Sequence, residues 1–255
     1  MKNSQVYIYI IFIFILSSCV PKKSIIYFQG NQNFDNPSSN YEPLIQNDDM
    51  LYINISSDEP IASEPFNLEN QATSGAANNS FAIQKQTYLV DNFGKIDFPT
   101  LGSIDVAGYS VNNLKKLLKQ KLALYFVKEP VINIRIMNFK VSVLGEVTKP
   151  GVINVNSERF TMLEAIAQSG DLTLYGKRNN ILVIRDFQGI KTYNRVDITK
   201  ADFVNSPFYY VDQNDVIYVE PKKSKIDSTA ISSNVVSIFS ILGFGLTVFL
   251  ILRKV

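Results

Sequence analysis

Alternation of apolar and polar positions outlines two short-strand units in this chain. Asp48–Ile55 (DDMLYINI) places Leu51, Ile53 and Ile55 on one side, the period-two pattern of a half-buried strand. Ser56 to Gln86 has no period. It is rich in Ser, Asn, Ala, Gln and Glu, carries Pro60 and Pro65, and reads as a long loop or disordered insertion over 56–86. From Tyr88 short strands return, with turns at Asp91–Gly94 and Pro99–Gly102. Ser110 is then a natural N-cap, and Val111, Leu114, Leu118 and Leu122 recur at helical spacing. Lys115, Lys116, Lys119 and Lys121 form the wet side of that helix. Pro130 closes the connection, and Ile132, Ile134 and Ile136 alternate in the next strand.

The second unit begins without a linker. Val141–Val147 is a strand, and Thr148-Lys149-Pro150-Gly151 has the residues of a type II turn. Val152–Val155 is its hairpin partner. Thr161 and Glu164 form a capping box ahead of a helix with Leu163, Ile166 and Ala167 on one face and Gly170 as its stop. Asn180–Arg185, Lys191–Asp197, Phe208–Val211 and Val216–Val219 read as further strands. The fold class is therefore α+β, with a β-grasp-like order in the second unit.

Both ends of the chain are apolar. Lys2 precedes the unbroken run Val6–Leu16, too short to span a bilayer comfortably and of the right length for a signal peptide. It ends in Leu16-Ser17-Ser18-Cys19, the bacterial lipobox pattern. This assigns 1–18 to a lipoprotein signal peptide, Cys19 to lipidation and 19–40 to a lipidated tether. Val20 is not the Asp that retains enteric lipoproteins at the inner membrane, so the outer membrane is the default address. At the other end, Ile231–Leu252 has no charge and is flanked by Lys222, Lys223 and Lys225 and by Arg253 and Lys254. About 20 apolar residues cross a bilayer as a helix, so a transmembrane helix is expected within 222–255. Positive charge at both flanks leaves its direction open. At helical spacing Ser233, Ser237, Ser240 and Thr247 share a stripe opposite Val235, Ile238, Leu242, Leu246 and Phe249. In lipid, small and hydroxyl residues draw helices together. The stripe fits helix packing or a wet pore, and equally a plain anchor that tolerates serines; a lipid at Cys19 makes anchoring alone redundant.

Composition narrows the chemistry. Net charge is +2, which offers no electrostatic footprint for nucleic acid. There is no His, which excludes Ser-His-Asp and Cys-His catalysis and His-ligated metal sites, and the single Cys excludes an intrachain disulfide. No metal or cofactor is expected. Paired acids at Asp48-Asp49 and Asp58-Glu59 are the only support for an enzyme, and solvated acids are the expected reading. Tyr209 and Tyr210 offer stacking surfaces, with packing favoured. Glu146 is a hairpin residue expected to be satisfied by nearby backbone, with a role at an interface between copies as the sharper alternative.

Three stretches carry a family resemblance: Tyr88–Gly102 (YLVDNFGKIDFPTLG) with Gly108 before the helix; Val143–Gly151 (VLGEVTKPG); and Gly170-Asp171-Leu172-Thr173 with Asn214–Val219 (NDVIYV). Together they resemble the outer-membrane polysaccharide export family, the Wza-type exporters of capsule and exopolysaccharide. The resemblance implies a polysaccharide export domain at 41–138 and a soluble-ligand-binding β-grasp domain at 139–221. It also implies a ring-shaped homo-oligomer, commonly eightfold, that is a passive conduit for polysaccharide in transit. Its implied partners are membrane lipid and an inner-membrane co-polymerase and tyrosine kinase. The resemblance further implies a protein that is not an enzyme, and with the lipobox the expected place is a lipid anchor at the outer membrane with the body in the periplasm. Asp171 departs from the pattern, since many members carry a second Gly there. The alternative role is a membrane-anchored glycan-binding or adaptor lipoprotein.

Overall fold

A computed structural model of the chain describes residues 22–30, 41–68, 71–74, 81–84, 86–187 and 189–230, together with Ser240, Ile241, Gly243, Phe244 and Gly245. The first domain is built on a three-stranded sheet in the order β4-β1-β7 (β1, Met50–Ser56; β4, Tyr88–Leu89; β7, Val131–Ile136), antiparallel throughout. The alternation in β1 works as the sequence implies. Leu51, Ile53 and Ile55 are buried and lie opposite Ile136, Ile134 and Ile132, so one face of the sheet is continuous aliphatic surface. The hairpin of β5 (Lys95–Phe98) and β6 (Gly102–Asp105) adds Ile96, Phe98 and Ile104 to that core. A helix, Val111–Leu122, closes it with Leu114, Leu118 and Leu122, each fully buried at i, i+4, i+8 spacing. Each such leucine contributes roughly 1.5–3 kcal/mol of transfer free energy. The Ser110 hydroxyl accepts from the Asn113 N–H at 3.2 Å and starts the helix as expected.

Residues 56–86 are a correction to the reading of one long loop. They hold a one-turn helix, Pro60–Ser63, a 3-10 turn, Glu64–Phe66, and a hairpin of β2 (Gln71–Ser74) and β3 (Phe81–Gln84). Pro60 sits in the first helical turn, where its missing N–H costs nothing. Among the residues of this stretch whose burial is described, Phe66 is buried in the core cluster and Leu68 packs against it, too few apolar positions to set up a period. The Asn67 side chain pairs with both the N–H and the carbonyl of Ile55 at 2.8 Å, in the manner of a strand partner.

The second domain is a five-stranded sheet in the order β11-β10-β12-β8-β9 (β8, Lys140–Gly145; β9, Gly151–Asn154; β10, Gly176–Phe187; β11, Ile190–Val196; β12, Val216–Pro221). Its first strand, β8, runs parallel to its last, β12, and all other pairs are antiparallel. A helix, Met162–Gln168, starts at a complete Thr161–Glu164 capping box and packs Met162, Ala165 and Ile166 on the sheet's core face. The order is that of a β-grasp. Phe208–Val211 is not a strand, which corrects the sequence reading. Only Tyr210 forms a bridge, to Thr161, and Pro207 lies in the turn that precedes it.

The Gly170-Asp171 turn explains the departure noted above. Both residues have positive φ, 74° and 68°. Asp tolerates that region better than most side chains, and its Oδ1 accepts the Leu172 N–H at 2.6 Å and the Tyr27 hydroxyl. The aspartate thus takes the place of a glycine and adds an acceptor.

Tyr27 belongs to residues 22–30, whose reading as part of a tether is also corrected. This segment is docked on the second domain. Phe28 and Gln29 donate N–H groups to Ile198 and Thr199, and Ala201 donates back to Gln29. The buried Arg178 guanidinium lies 5.3 Å from the Tyr27 ring centroid. Burial, then the Asp171 bond, push the Tyr27 hydroxyl up to about 12.

Candidate functional site

Of the residues marked in the sequence, Cys19, Ser233, Ser237 and Thr247 lie outside the described residues. Ser240 is helical and exposed, with Ile241 and Phe244 about 70% exposed beside it (70% and 72%). Among the described residues no helix is long and apolar enough to cross a membrane, which says nothing of a β-barrel. The paired acids do not assemble into a catalytic pair. Asp48 sits in a turn at φ 65°, Asp49 is fully buried, and Asp58 meets Lys128 at 2.7 Å on the surface.

What the fold does assemble is a polar joint between the domains. Asn138, at the crossing point, accepts the Met50 N–H at 2.9 Å and donates to the Asp48 carbonyl at 2.9 Å. Its own carbonyl takes Gln213 Nε2 at 2.9 Å, while Gln213 Oε1 accepts the Lys140 N–H at 2.7 Å. Beside it, Arg185 is forked between two carboxylates. Its Nε and Nη2 meet Asp215 at 3.0 and 2.7 Å, and Nη1 meets Asp212 at 2.7 Å. Burial alone would lower the Arg185 pKa; the Asp215 hydrogen bond and the charges of Asp215 and Asp212 reverse that and raise it. The Tyr41 hydroxyl donates toward Asp212 and the Val211 carbonyl, and its ring stacks on Tyr210 at 4.6 Å. Desolvation, then Asp212, push the Tyr41 hydroxyl far up, so it is a permanent donor. Tyr209 packs edge-on against Tyr210 and Phe203. Both tyrosines therefore serve packing, and the first residue described after 31–40 is clamped to the second domain.

Asp49 is the strained member of this joint. It accepts the Gln46 N–H at 2.8 Å through Oδ2, while Oδ1 is buried without a hydrogen-bond partner. Burial raises its pKa to about 6, against the opposing Gln46 bond. A folded-state pKa above the unfolded value means that the stabilisation is full below the ordinary carboxylate range and is lost as pH rises through about 6. The effect is up to about 3 kcal/mol. Asp49→Asn is expected to flatten this dependence. Thermal unfolding at about pH 5 and about pH 7.5 checks it, with a smaller gap between the two in the variant than in wild type.

A groove of about 350 Å³ runs along the joint. Tyr41–Pro43, Val111, Asn112, 134–136, Phe139 and 156–159 line it, a mixture of aromatic, aliphatic, polar and charged side chains. At the far end of the second domain lies a different cluster. Glu146 accepts the Thr173 hydroxyl at 2.8 Å and pairs with Lys225 at 2.6 Å, side chains rather than the backbone expected for it, and these bonds lower its pKa, Lys225 foremost. Lys225 lies on the helix Lys223–Ala230, which leads toward the C-terminal apolar run. Lys222 donates its N–H to the Tyr175 carbonyl at 2.7 Å, and its Nζ reaches the Leu174 carbonyl and the Ser24 hydroxyl. The docked N-terminal segment and the start of the C-terminal helix therefore meet. Sequence reasoning missed this meeting; the aromatics of Tyr27-Phe28 and the unusual Asp171 were its only signals.

Comparison with known proteins matches two family models to the chain. The model of a family described as polysaccharide biosynthesis/export protein matches residues 37–137, and that of the SLBB domain matches 139–219. Among curated relatives, the EPS I polysaccharide export outer membrane protein EpsA of Ralstonia nicotianae (strain ATCC BAA-1114 / GMI1000) is 31% identical over 102 residues, 38% of this chain and 26% of the relative. The protein of the same name in Ralstonia solanacearum is 30% identical over 102 residues, 38% of this chain and 27% of the relative. The matched stretch thus spans about a quarter of the length of these relatives. Residues 37–137 are thus similar to the polysaccharide biosynthesis/export protein family and residues 139–219 to the SLBB domain, the two stretches being joined through Asn138.

Proposed function

We infer that this protein is an outer-membrane lipoprotein subunit of a polysaccharide export conduit. The observation that carries the reading is the meeting of the two chain ends on the second domain. Cys19 is three residues from Lys22, at most about 10 Å of extended chain. Lys22 begins the docked segment, and Ser24 within it contacts Lys222, one residue before the C-terminal helix. A lipid at Cys19 and a membrane helix over Ile231–Leu252 would thus leave the body from one place, and the export domain would extend away from that membrane. Such a body can close into a ring of identical copies whose tail helices pack through Ser233, Ser237, Ser240 and Thr247. Polymer would pass through by size and polarity selection, delivered by an inner-membrane co-polymerase. The names of the curated relatives, polysaccharide export outer membrane proteins, support the cargo and the address.

The groove beside Tyr41 favours a second reading, a glycan-binding adaptor whose tail only anchors it. Chemical cross-linking of the detergent-solubilised chain separates the two. A conduit gives one closed oligomer, and an adaptor gives monomers. Cys19→Ala is expected to remove the chain from the outer-membrane fraction and to lower polymer export at least about tenfold, since one remaining membrane signal leaves delivery incomplete. Unchanged fractionation would count against lipidation.

A further inference from the structure

The place where the chain ends meet has a surface of its own. Leu174 is 69% exposed, Ile226 54% and Ile26 53%, with Tyr175 half-exposed among them. Hydrogen bonds from Lys222 to Tyr175, Leu174 and Ser24 join the three elements that carry them, and Lys225 adds a cation–π contact over the Tyr175 ring at 5.6 Å. Lys23 and Lys223 are exposed at its rim. The acids facing it are Glu146, which Lys225 neutralises, Asp171, which accepts from Tyr27, and the exposed Asp227. The balance is cationic, with aliphatic and tyrosine side chains between the lysines. That combination suits a lipid–water interface, where tyrosine sits with its ring at head-group depth and lysine is drawn to an anionic surface.

We propose that this pole of the second domain is a membrane-contact surface that binds anionic phospholipid head groups. The lengths of chain agree. Cys19 is within about 10 Å of Lys22, and the eight residues Lys223–Ala230 rise about 12 Å as a helix. Both tethers therefore hold the pole within about one head-group layer of the bilayer. The docked segment 22–30 acts as a strap that keeps the pole turned to the lipid, through Tyr27, Asp171 and Arg178. This inference rests on the lipid-anchored reading above.

The test uses the full-length acylated chain reconstituted into phosphatidylcholine vesicles with and without phosphatidylglycerol. Single cysteines replace Leu174 or Phe93, the latter an exposed residue of the export domain, and each carries a fluorophore. Nitroxide on lipid head groups is expected to quench the Leu174→Cys label about threefold more than the Phe93→Cys label. That excess should fall about twofold without phosphatidylglycerol, and likewise in Lys23→Gln/Lys223→Gln. Equal quenching at both positions in a chain that floats with the vesicles overturns this inference alone. So does a Leu174→Cys label shielded from nitroxide in a cross-linkable oligomer, which would give the pole to a second copy. A chain that does not float overturns the lipoprotein reading and this inference with it.

Discussion

Gly145→Ala is expected to leave the second domain unfolded at growth temperature. Gly145 ends β8 at φ 89°, a region costly for any residue with a Cβ. The added Cβ would lie 2.1 Å from the Val219 carbonyl oxygen and 2.9 Å from its carbon. Those atoms are backbone of β12 and cannot turn aside. The same carbonyl accepts the Glu146 N–H at 2.9 Å and belongs to the parallel β8–β12 pairing at the centre of the sheet. Relief requires parting the two central strands, so the cost exceeds about 4 kcal/mol, in the range of severe single substitutions. Thermal unfolding of the full-length chain in detergent measures it. A Gly145→Ala protein within about 1 kcal/mol of wild type would mean that β8 does not pass β12 at this separation.

Arg185→Leu is the second large effect. The Arg185 fork neutralises Asp215, which is fully buried, and Asp212. Its removal leaves two carboxylates facing each other, with the Asp212 N–H as a remaining donor to Asp215 at 2.8 Å. Breaking a buried pair by deleting one partner costs roughly 3–5 kcal/mol. The loss also loosens Tyr41, whose hydroxyl is held by Asp212 and the Val211 carbonyl, so protease sensitivity near residue 41 should rise with the fall in stability. Pairing Arg185→Leu with Asp215→Leu should recover part of the loss, because the fully buried carboxylate goes with its partner and only Asp212, which is partly exposed and keeps the Tyr41 hydroxyl, loses the guanidinium. If the double variant is as unstable as the sum of the singles, the ion pair is not what holds this end of β10.

Elements with a repeating burial pattern were legible from sequence. Leu51, Ile53 and Ile55 in β1, and Leu114, Leu118 and Leu122 in the first long helix, each face one core, and burial writes that face into the residue order. Caps were legible because their chemistry is local, as at Ser110 and Thr161–Glu164; the type II turn read at Pro150-Gly151 is not formed, since Gly151 opens β9 without the positive φ that such a turn requires. Residues 22–30 were not, because they dock through backbone bonds to Ile198–Ala201, and a backbone bond leaves no side-chain signature. Phe208–Val211 misled by its aromatics, which pack as rings and not as a pleated row. The polar joint was hidden for a third reason: Asn138, Gln213 and Arg185 act across 27 to 90 residues of sequence, and no local pattern announces their partners. Of the lipidation and stripe residues, Ser240 alone falls among the described residues.

The measurement that tests the central claim most directly is the location of polymer in cells that lack this protein and regain it from a plasmid. Extracellular and periplasmic polysaccharide are quantified separately. For an export conduit, loss of the protein stops extracellular polymer and leaves product behind in the periplasm, and the wild-type chain restores release while Cys19→Ala does not. Full extracellular polymer in the absence of the protein, with no periplasmic retention, would contradict it.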